Sequence, residues 1–370
     1  MKILYVTTIG GTMRFFRDYI RELLDAGHTV DIATCENAVS KVPDYYREWG
    51  CQVYQISTSR SPLKMGNLKA IKQIRKIVAE NGYELVHCHT PIAAACTRLA
   101  CRKLRKKNGL KVFYTAHGFH FYKGAPLKNW LLYYPVEKLC ARMTDVLITI
   151  NKEDYAFAQK KLRAKRVEYV PGVGIDVARF ANAVVDRDAK RDEIGVPREA
   201  FLVLSVGELN PNKNHEVVIR ALAQLQNKNV HYAIAGKGAL QDYLLSLASE
   251  LGIEEQIHLL GFRRDVAELY KVADVYAFPS FREGLSVSLT ETLAAGLPII
   301  CSKIRGNVDL VDENGGILFD PHSVSQCLEA LKSIQALDLA LMQENNRNAA
   351  HKYEVTVINA WMKAAYGIKQ

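Results

Sequence analysis

Apolar and polar positions fall in blocks along this chain. Short runs dominated by Val, Ile, Leu and Ala occur at Lys2–Thr8, Thr29–Thr34, Cys51–Ile56, Leu85–Thr90, Lys111–Ala116, Asp145–Ile150 and Val167–Val170. Between them, Arg14–Ala26, Leu68–Glu80, Ala93–Lys107 and Lys128–Met143 repeat apolar residues at the three- and four-residue spacing of helices. Continuous apolar runs separated by helices predict a parallel sheet covered on both faces. The stretch Asp176–Pro197 is polar, charge-rich and weakly patterned, and reads as a linker zone. The pattern then restarts at Phe201–Val206, Val230–Ala235, Ile257–Leu260, Asp274–Phe278, Pro298–Cys301 and Gly316–Phe319. The expected fold class is therefore α/β, with two doubly wound Rossmann-like domains. Such sheets bind ligands beyond the carboxyl ends of their strands, so an interdomain cleft is the default site. The expected domains are 1–172, 173–352 and a C-terminal helix in 353–370, which carries Trp361 and Tyr366 and is placed to cross back to the first domain.

The 370 residues, 49% hydrophobic, suffice for two ordinary cores. No run of about 18 apolar residues exists, so no membrane-spanning helix is expected. The opening MKILYVTTIGG reads as a first strand rather than a secretory signal. Eight cysteines, without a CxxC pair, read as reduced, buried thiols of a cytosolic protein. His87-Cys88-His89 looks like metal chemistry, but on a strand Cys88 points away from both histidines, so no zinc site is expected. The net charge of +10 is unevenly spread: residues 1–180 hold 30 Lys and Arg against 15 Asp and Glu, and residues 181–370 hold 19 against 24. A basic first half points to a polyanion or an anionic surface.

Three segments carry candidate chemistry. Ile9-Gly10-Gly11-Thr12 lies between the first strand and first helix, where glycines let backbone approach a phosphate. The GxGxxG spacing is absent, so a nicotinamide cofactor is not indicated. In Val206-Gly207-Glu208-Leu209-Asn210-Pro211-Asn212-Lys213-Asn214, a strand ends in glycine and Lys213 precedes a helix, where it can neutralise a diphosphate. In Phe278 to Glu291, a strand, a turn and a helix beginning near Ser286 place Glu283 in the turn and Glu291 within the helix. Each carboxylate could accept hydrogen bonds from a hydroxyl pair, one on a sugar and one on a ribose. Taken singly, these residues also read as an exposed loop lysine and solvated glutamates.

Together with His89-Thr90-Pro91, Thr115-Ala116-His117-Gly118, Val170-Pro171-Gly172-Val173-Gly174-Ile175-Asp176, Ala235-Gly236-Lys237-Gly238 and Gly261-Phe262 with Asp265, they form an ordered set spanning nearly the whole chain. In this set the chain resembles family 4 of the GT-B-fold glycosyltransferases, a retaining group that includes bacterial polysaccharide enzymes. Glu283 and Glu291, with seven residues between them, are its most specific part. The resemblance implies that Glu283 holds donor-sugar hydroxyls, Glu291 the ribose, and Lys213 the diphosphate. It implies that backbone N–H groups around Gly284, Leu285 and Ser286 share the phosphate, and that Gly207 lies beside it. Gly261, Phe262 and Arg263 would meet the base, and Gly10 and Gly11 would pass close to the phosphates and acceptor. His117 would approach the donor sugar, with His89 and His120 on the acceptor side. The catalytic group would be Lys213, Glu283 and His117. Glu208 departs from the family pattern, which often has Arg there; Arg263, Arg264 and Arg282 are the nearest substitutes.

The resemblance implies retaining transfer of a hexose or N-acetylhexosamine, from a UDP-sugar by family habit, to a glycan or polyprenyl-diphosphate-linked acceptor of cell-surface polysaccharide. Without a DxD triplet, no cofactor or metal is expected. The basic amphipathic stretches Arg14–Arg21, Leu68–Ile77 and Arg98–Lys107 suit an anionic membrane, which places the protein in the cytoplasm, peripheral on the inner face. No nucleic-acid-binding module is visible. The rivals are a nucleotide-sugar epimerase or glycan phosphorylase on the same fold, and a non-catalytic two-lobed sugar-binding protein.

Overall fold

A computed structural model describes residues 1–59, 61–62 and 64–368. The chain divides into two compact units, Met1–Val173 with the segment from Ile358 onward, and Gly174–Val357. The crossings thus fall at 173/174 and 357/358, rather than at 172/173 and 352/353. Residues 369 and 370 of the expected C-terminal segment lie outside the described residues.

Among its described residues the first unit holds seven strands: β1 (Lys2–Val6), β2 (Thr29–Thr34), β3 (Val53–Gln55), β4 (Leu85–His89), β5 (Lys111–Ala116), β6 (Val146–Thr149) and β7 (Arg166–Tyr169). They pair in parallel in the order β3-β2-β1-β4-β5-β6-β7. Alternate residues of β1 serve opposite faces. Leu4 and Val6 join Ala70, Ile74, Val78, Ala94, Cys101 and Ala141, so the helices Gly66–Asn81, Pro91–Asn108 and Leu127–Ala141 cover one face. Ile3 and Tyr5 join Phe16, Tyr19, Ile20, Ile358 and Tyr366, so the helices Arg17–Asp25 and Val355–Tyr366 cover the other. The Tyr366 hydroxyl lies 2.5 Å from His87 Nδ1 and 2.8 Å from the Tyr5 hydroxyl. Where the periodicity predicts α-helix from Arg14, the chain forms a 3-10 turn over Gly10–Phe16. Segment 40–42 presses on this turn: a Cβ on Gly10 would stand 2.7 Å from the Val42 nitrogen.

The second unit holds β8 (Phe201–Val206), β9 (Val230–Ala235), β10 (Ile257–Gly261), β11 (Val275–Phe278), β12 (Ile299–Ser302) and β13 (Gly316–Phe319), in the parallel order β10-β9-β8-β11-β12-β13. The chain reverses its winding between β8 and β11, and a doubly wound sheet binds ligands outside the strand ends at such a switch point. The expected linker zone belongs to this unit's body. It forms the helices Val177–Ala181 and Arg187–Glu193, capped by the Asp176 and Asp186 side chains. Val177, Phe180, Ile194 and Val196 enter the core, and buried Arg191 bonds the Val272 and Ala200 carbonyls and Asp274. Two helices this short, each with a polar cap, are too brief to show a period.

Candidate active site

Two loops meet at the switch point. The loop after β8 carries Asn210 to Asn214, and the loop after β11 carries Pro279 to Ser286. Backbone and amide bonds zip them together. The Phe281 N–H donates to the Asn212 carbonyl at 2.8 Å, and the Asn212 amide donates to the Arg282 carbonyl at 3.0 Å. Asn214 adopts the left-handed conformation at φ 52°, which Asn tolerates, and its amide reaches the Pro279 and Pro321 carbonyls. Asn210 caps the turn by accepting from the Lys213 N–H at 3.1 Å.

This frame brings Lys213 to Glu283, with Nζ 2.9 Å from Oε1. The ammonium also lies 4.7 Å from the centroid of the Phe278 ring, a cation–π contact that limits its swing. Gly207 leaves room for the lysine stem, since a Cβ there would stand 3.3 Å from Lys213 Cε. Gly236 lies closer still: a Cβ on it would fall 1.7 Å from the Gly207 carbonyl oxygen, so no side chain fits. Neither Lys213 nor Glu283 is sealed, at 19% and 16% side-chain exposure.

Ser286 caps the nine-residue helix Val287–Ala295 by accepting from the Leu289 N–H. The first N–H groups of such a helix lack intrahelical acceptors and carry partial positive charge, which suits an anion. Gly284 and Leu285 lead into this cap. Gly306, at φ 81°, packs on Gly284, where a Cβ would stand 2.3 Å from the carbonyl oxygen. Glu291 lies on the same helix and accepts from the Tyr270 hydroxyl at 3.3 Å. Burial pushes its carboxyl up to about 7, against the opposing pull of Tyr270 and Arg179.

At the end of β10, Phe262 is exposed after Gly261, which turns at φ 67°. Arg263 is committed to Asp265 and Glu193, so its guanidinium already has acidic partners. Arg264 and Arg282 are exposed, and Glu208 accepts from the Asn210 amide. The residues missed in the sequence are Tyr270, Arg179 and Arg305. Arg305 is nearly buried and stands next to the Gly306 that packs on Gly284. An Arg-Gly pair was the available signal, but it carries meaning only once the Gly284 contact is known.

The remaining expected residues lie in the first unit. Gly10 and Gly11 are packed on their own loop, with the Gly11 N–H donating to the Ser40 hydroxyl at 2.9 Å. His89 Nδ1 lies 3.1 Å from His117 Nε2, above His87, and Cys88 turns the other way to donate to the Phe113 carbonyl. Burial pulls His117 down to about 4 and His87 to about 3, so both rings are neutral at pH 7. Thr90 follows at φ 65°, an outlier for a β-branched residue, tied to Thr8 by hydroxyl and backbone bonds. The His120 ring lies 4.5 Å from the Tyr133 ring, tilted by 32°. Among the described residues, no group of three or more His, Cys, Asp or Glu is arranged to hold a metal ion.

The two parallel doubly wound units, with a lysine, a carboxylate pair and a capped helix at the second unit's switch point, define a GT-B glycosyltransferase. The model of the family "Glycosyl transferase 4-like" matches residues 2–151, and that of "Glycosyl transferases group 1" matches 186–353. The chain belongs to family 4 of the GT-B-fold glycosyltransferases. It is 36% identical over 366 residues to EpsD of Bacillus subtilis strain 168, which is named as a glycosyltransferase; the match covers 96% of this chain and 94% of the relative. It is 29% identical to the UDP-Gal:alpha-D-GlcNAc-diphosphoundecaprenol alpha-1,3-galactosyltransferase of Escherichia coli, covering 76% and 74% of the two chains. Anabaena Alr3699/HepE, solved in complex with UDP, shares the fold at a TM-score of 0.82 and 21% identity, over 99% of this chain and 100% of that one.

Proposed function

We propose that this enzyme moves a hexose or N-acetylhexosamine from a UDP-sugar, with retention and without a metal, to a glycan or polyprenyl-diphosphate-linked acceptor of cell-surface polysaccharide. It works on the cytoplasmic face of the membrane. The observation that carries the reading is the Lys213–Glu283 pair, held beside the Ser286-capped helix at the switch point. The donor chemistry breaks the anomeric C–O bond. Positive charge grows on the sugar, and negative charge grows on the departing UDP. Lys213 and the helix N-terminus stabilise that diphosphate as preorganised charge. Glu283 exchanges part of its ion pair for sugar hydroxyls, and Glu291 takes the ribose pair. The acceptor hydroxyl attacks from the leaving-group face and passes its proton to the departing phosphate. On the first unit, neutral His117 offers a ring nitrogen to a hydroxyl. His89 and His120 stand on the acceptor side, and Gly10 and Gly11 form the phosphate-side turn. Phe262 offers a face to the base. The lipid-linked acceptor named for the Escherichia coli relative and the UDP in the Anabaena protein support the two substrate classes.

The test is UDP release from a panel of UDP-sugars, with a polyprenyl-diphosphate glycan as acceptor and EDTA present. Acceptor-dependent release that persists in EDTA and gives an α-linked product from an α-linked donor is expected. Release that requires added Mg²⁺, or an inverted product, would remove the metal-free or the retaining part of the reading.

A further inference from the structure

The helix Leu127–Ala141 presents an apolar face to solvent. At about 100° per residue, Leu127, Leu131, Leu132, Pro135, Val136 and Leu139 occupy one half of its circumference. All six are exposed, Leu127 and Leu131 by 73% and 70%. Trp130, Tyr133, Tyr134 and Ala141 pack inward on the other half. Lys128 and Lys138, with Arg142 just beyond the helix, share the exposed half, and no acid is exposed among the helix's described residues. Exposed leucines interspersed with long cations can lie in a lipid interface, the aliphatic residues entering it while the cations reach up to the headgroups.

The surroundings favour the same occupant. The three helices on this sheet face carry twelve Lys or Arg against two Glu, and one of the two, Glu137, is buried against Arg98. Arg98 is therefore no surface cation, contrary to the sequence reading, but Arg102, Lys103, Lys106 and Lys107 remain exposed. Leu132 and Val136 also line a groove with Ile92, Phe119, His120 and Phe121, so the stripe adjoins the acceptor-side residues. The other basic stretch, Arg14–Arg21, sits on the opposite face of the sheet and cannot meet the same plane of lipid.

We propose that the enzyme docks on anionic bilayers through the Leu127–Ala141 helix, with Leu127, Leu131, Leu132 and Leu139 inserting among the acyl chains while Lys128, Lys138 and Arg142 bind acidic headgroups. The proposal rests on the lipid-linked acceptor reading above and names the element that does the docking.

The test is co-sedimentation of the full chain with phosphatidylcholine vesicles, with and without phosphatidylglycerol. Wild type should bind the anionic vesicles, and more weakly as salt rises. The double variant Leu131→Glu, Leu139→Glu should bind at least about tenfold more weakly, as losing two buried leucines implies. It should keep wild-type transfer to a short soluble acceptor. The variant Arg14→Glu, Arg17→Glu, on the other sheet face, should bind as wild type does. Unchanged binding by the leucine variant, or lost binding by the arginine variant, would overturn the helix assignment and leave the lipid-linked acceptor reading standing. No binding of wild type to anionic vesicles at low salt would overturn the membrane reading itself. A wild-type dimer that the leucine variant splits, without vesicle binding, would give this face to a second copy and overturn the proposal.

Discussion

Two ion pairs between a cation and a glutamate, one in each unit, differ in how far water can reach them. Arg98 and Glu137 are sealed in the first unit at 0% and 7% side-chain exposure, with the guanidinium 4.3 Å from the Tyr114 ring centroid. Lys213 and Glu283 stay within reach of solvent at the second unit's strand ends. The chemistry is nearly the same, but exposure separates the roles. A sealed pair can only hold the fold, and breaking it leaves an uncompensated buried charge. A reachable pair can exchange partners with a ligand, and two loops zipped by Asn212 and Asn214 keep it in place while it does so.

The comparison can be broken from either side. The largest effect is expected from Arg98→Ala, which should cost about 3–5 kcal/mol of stability. Chemical denaturation would show this, and turnover per folded molecule should not change. Lys213→Ala should do the reverse, lowering kcat by about 10²–10³ with an unaltered denaturation midpoint, the scale of losing one preorganised transition-state contact. A large loss of stability in the lysine variant would mean that the two pairs do the same work.

Glu291 sharpens the contrast through pH. Its carboxyl ionises near 4.5 when unfolded and near 7 when folded, so it binds more protons in the folded state across that window. Its contribution to the stability of the unliganded protein therefore falls as pH rises from about 4.5 to 7. If the carboxylate accepts ribose hydroxyls, UDP affinity should rise between pH 6 and 8, and Glu291→Gln should flatten both trends in calorimetry. His117 has the opposite sign. Its folded value lies near 4, below the usual 6.5, so its contribution to stability is full above 6.5 and is lost as pH falls toward 4. This is the smallest effect: an NMR titration should find the ring neutral from pH 8 down to about 5.

Much of this was legible in the sequence. Long apolar runs gave the strands, because a strand buried on both faces needs apolar residues at every position. The Glu283 and Glu291 spacing and Lys213 were legible because strand, turn and helix are local. Long-range facts were not. Arg98 reads as one more cation of a basic helix until Glu137 is found opposite it, 39 residues away. Asp176–Pro197 reads as a linker because its core residues sit in two short capped helices. The Leu127–Ala141 helix is apolar around most of its circumference, so periodicity could not tell which leucines face solvent.

The central claim is that Lys213 and the helix N-terminus grip a diphosphate. Titration calorimetry with UDP and with uridine, on wild type and Lys213→Ala, tests it most directly. The account predicts that wild type binds UDP far more tightly than uridine, and that the variant loses most of this difference while its uridine affinity is unchanged. A variant that binds UDP as tightly as wild type would contradict it.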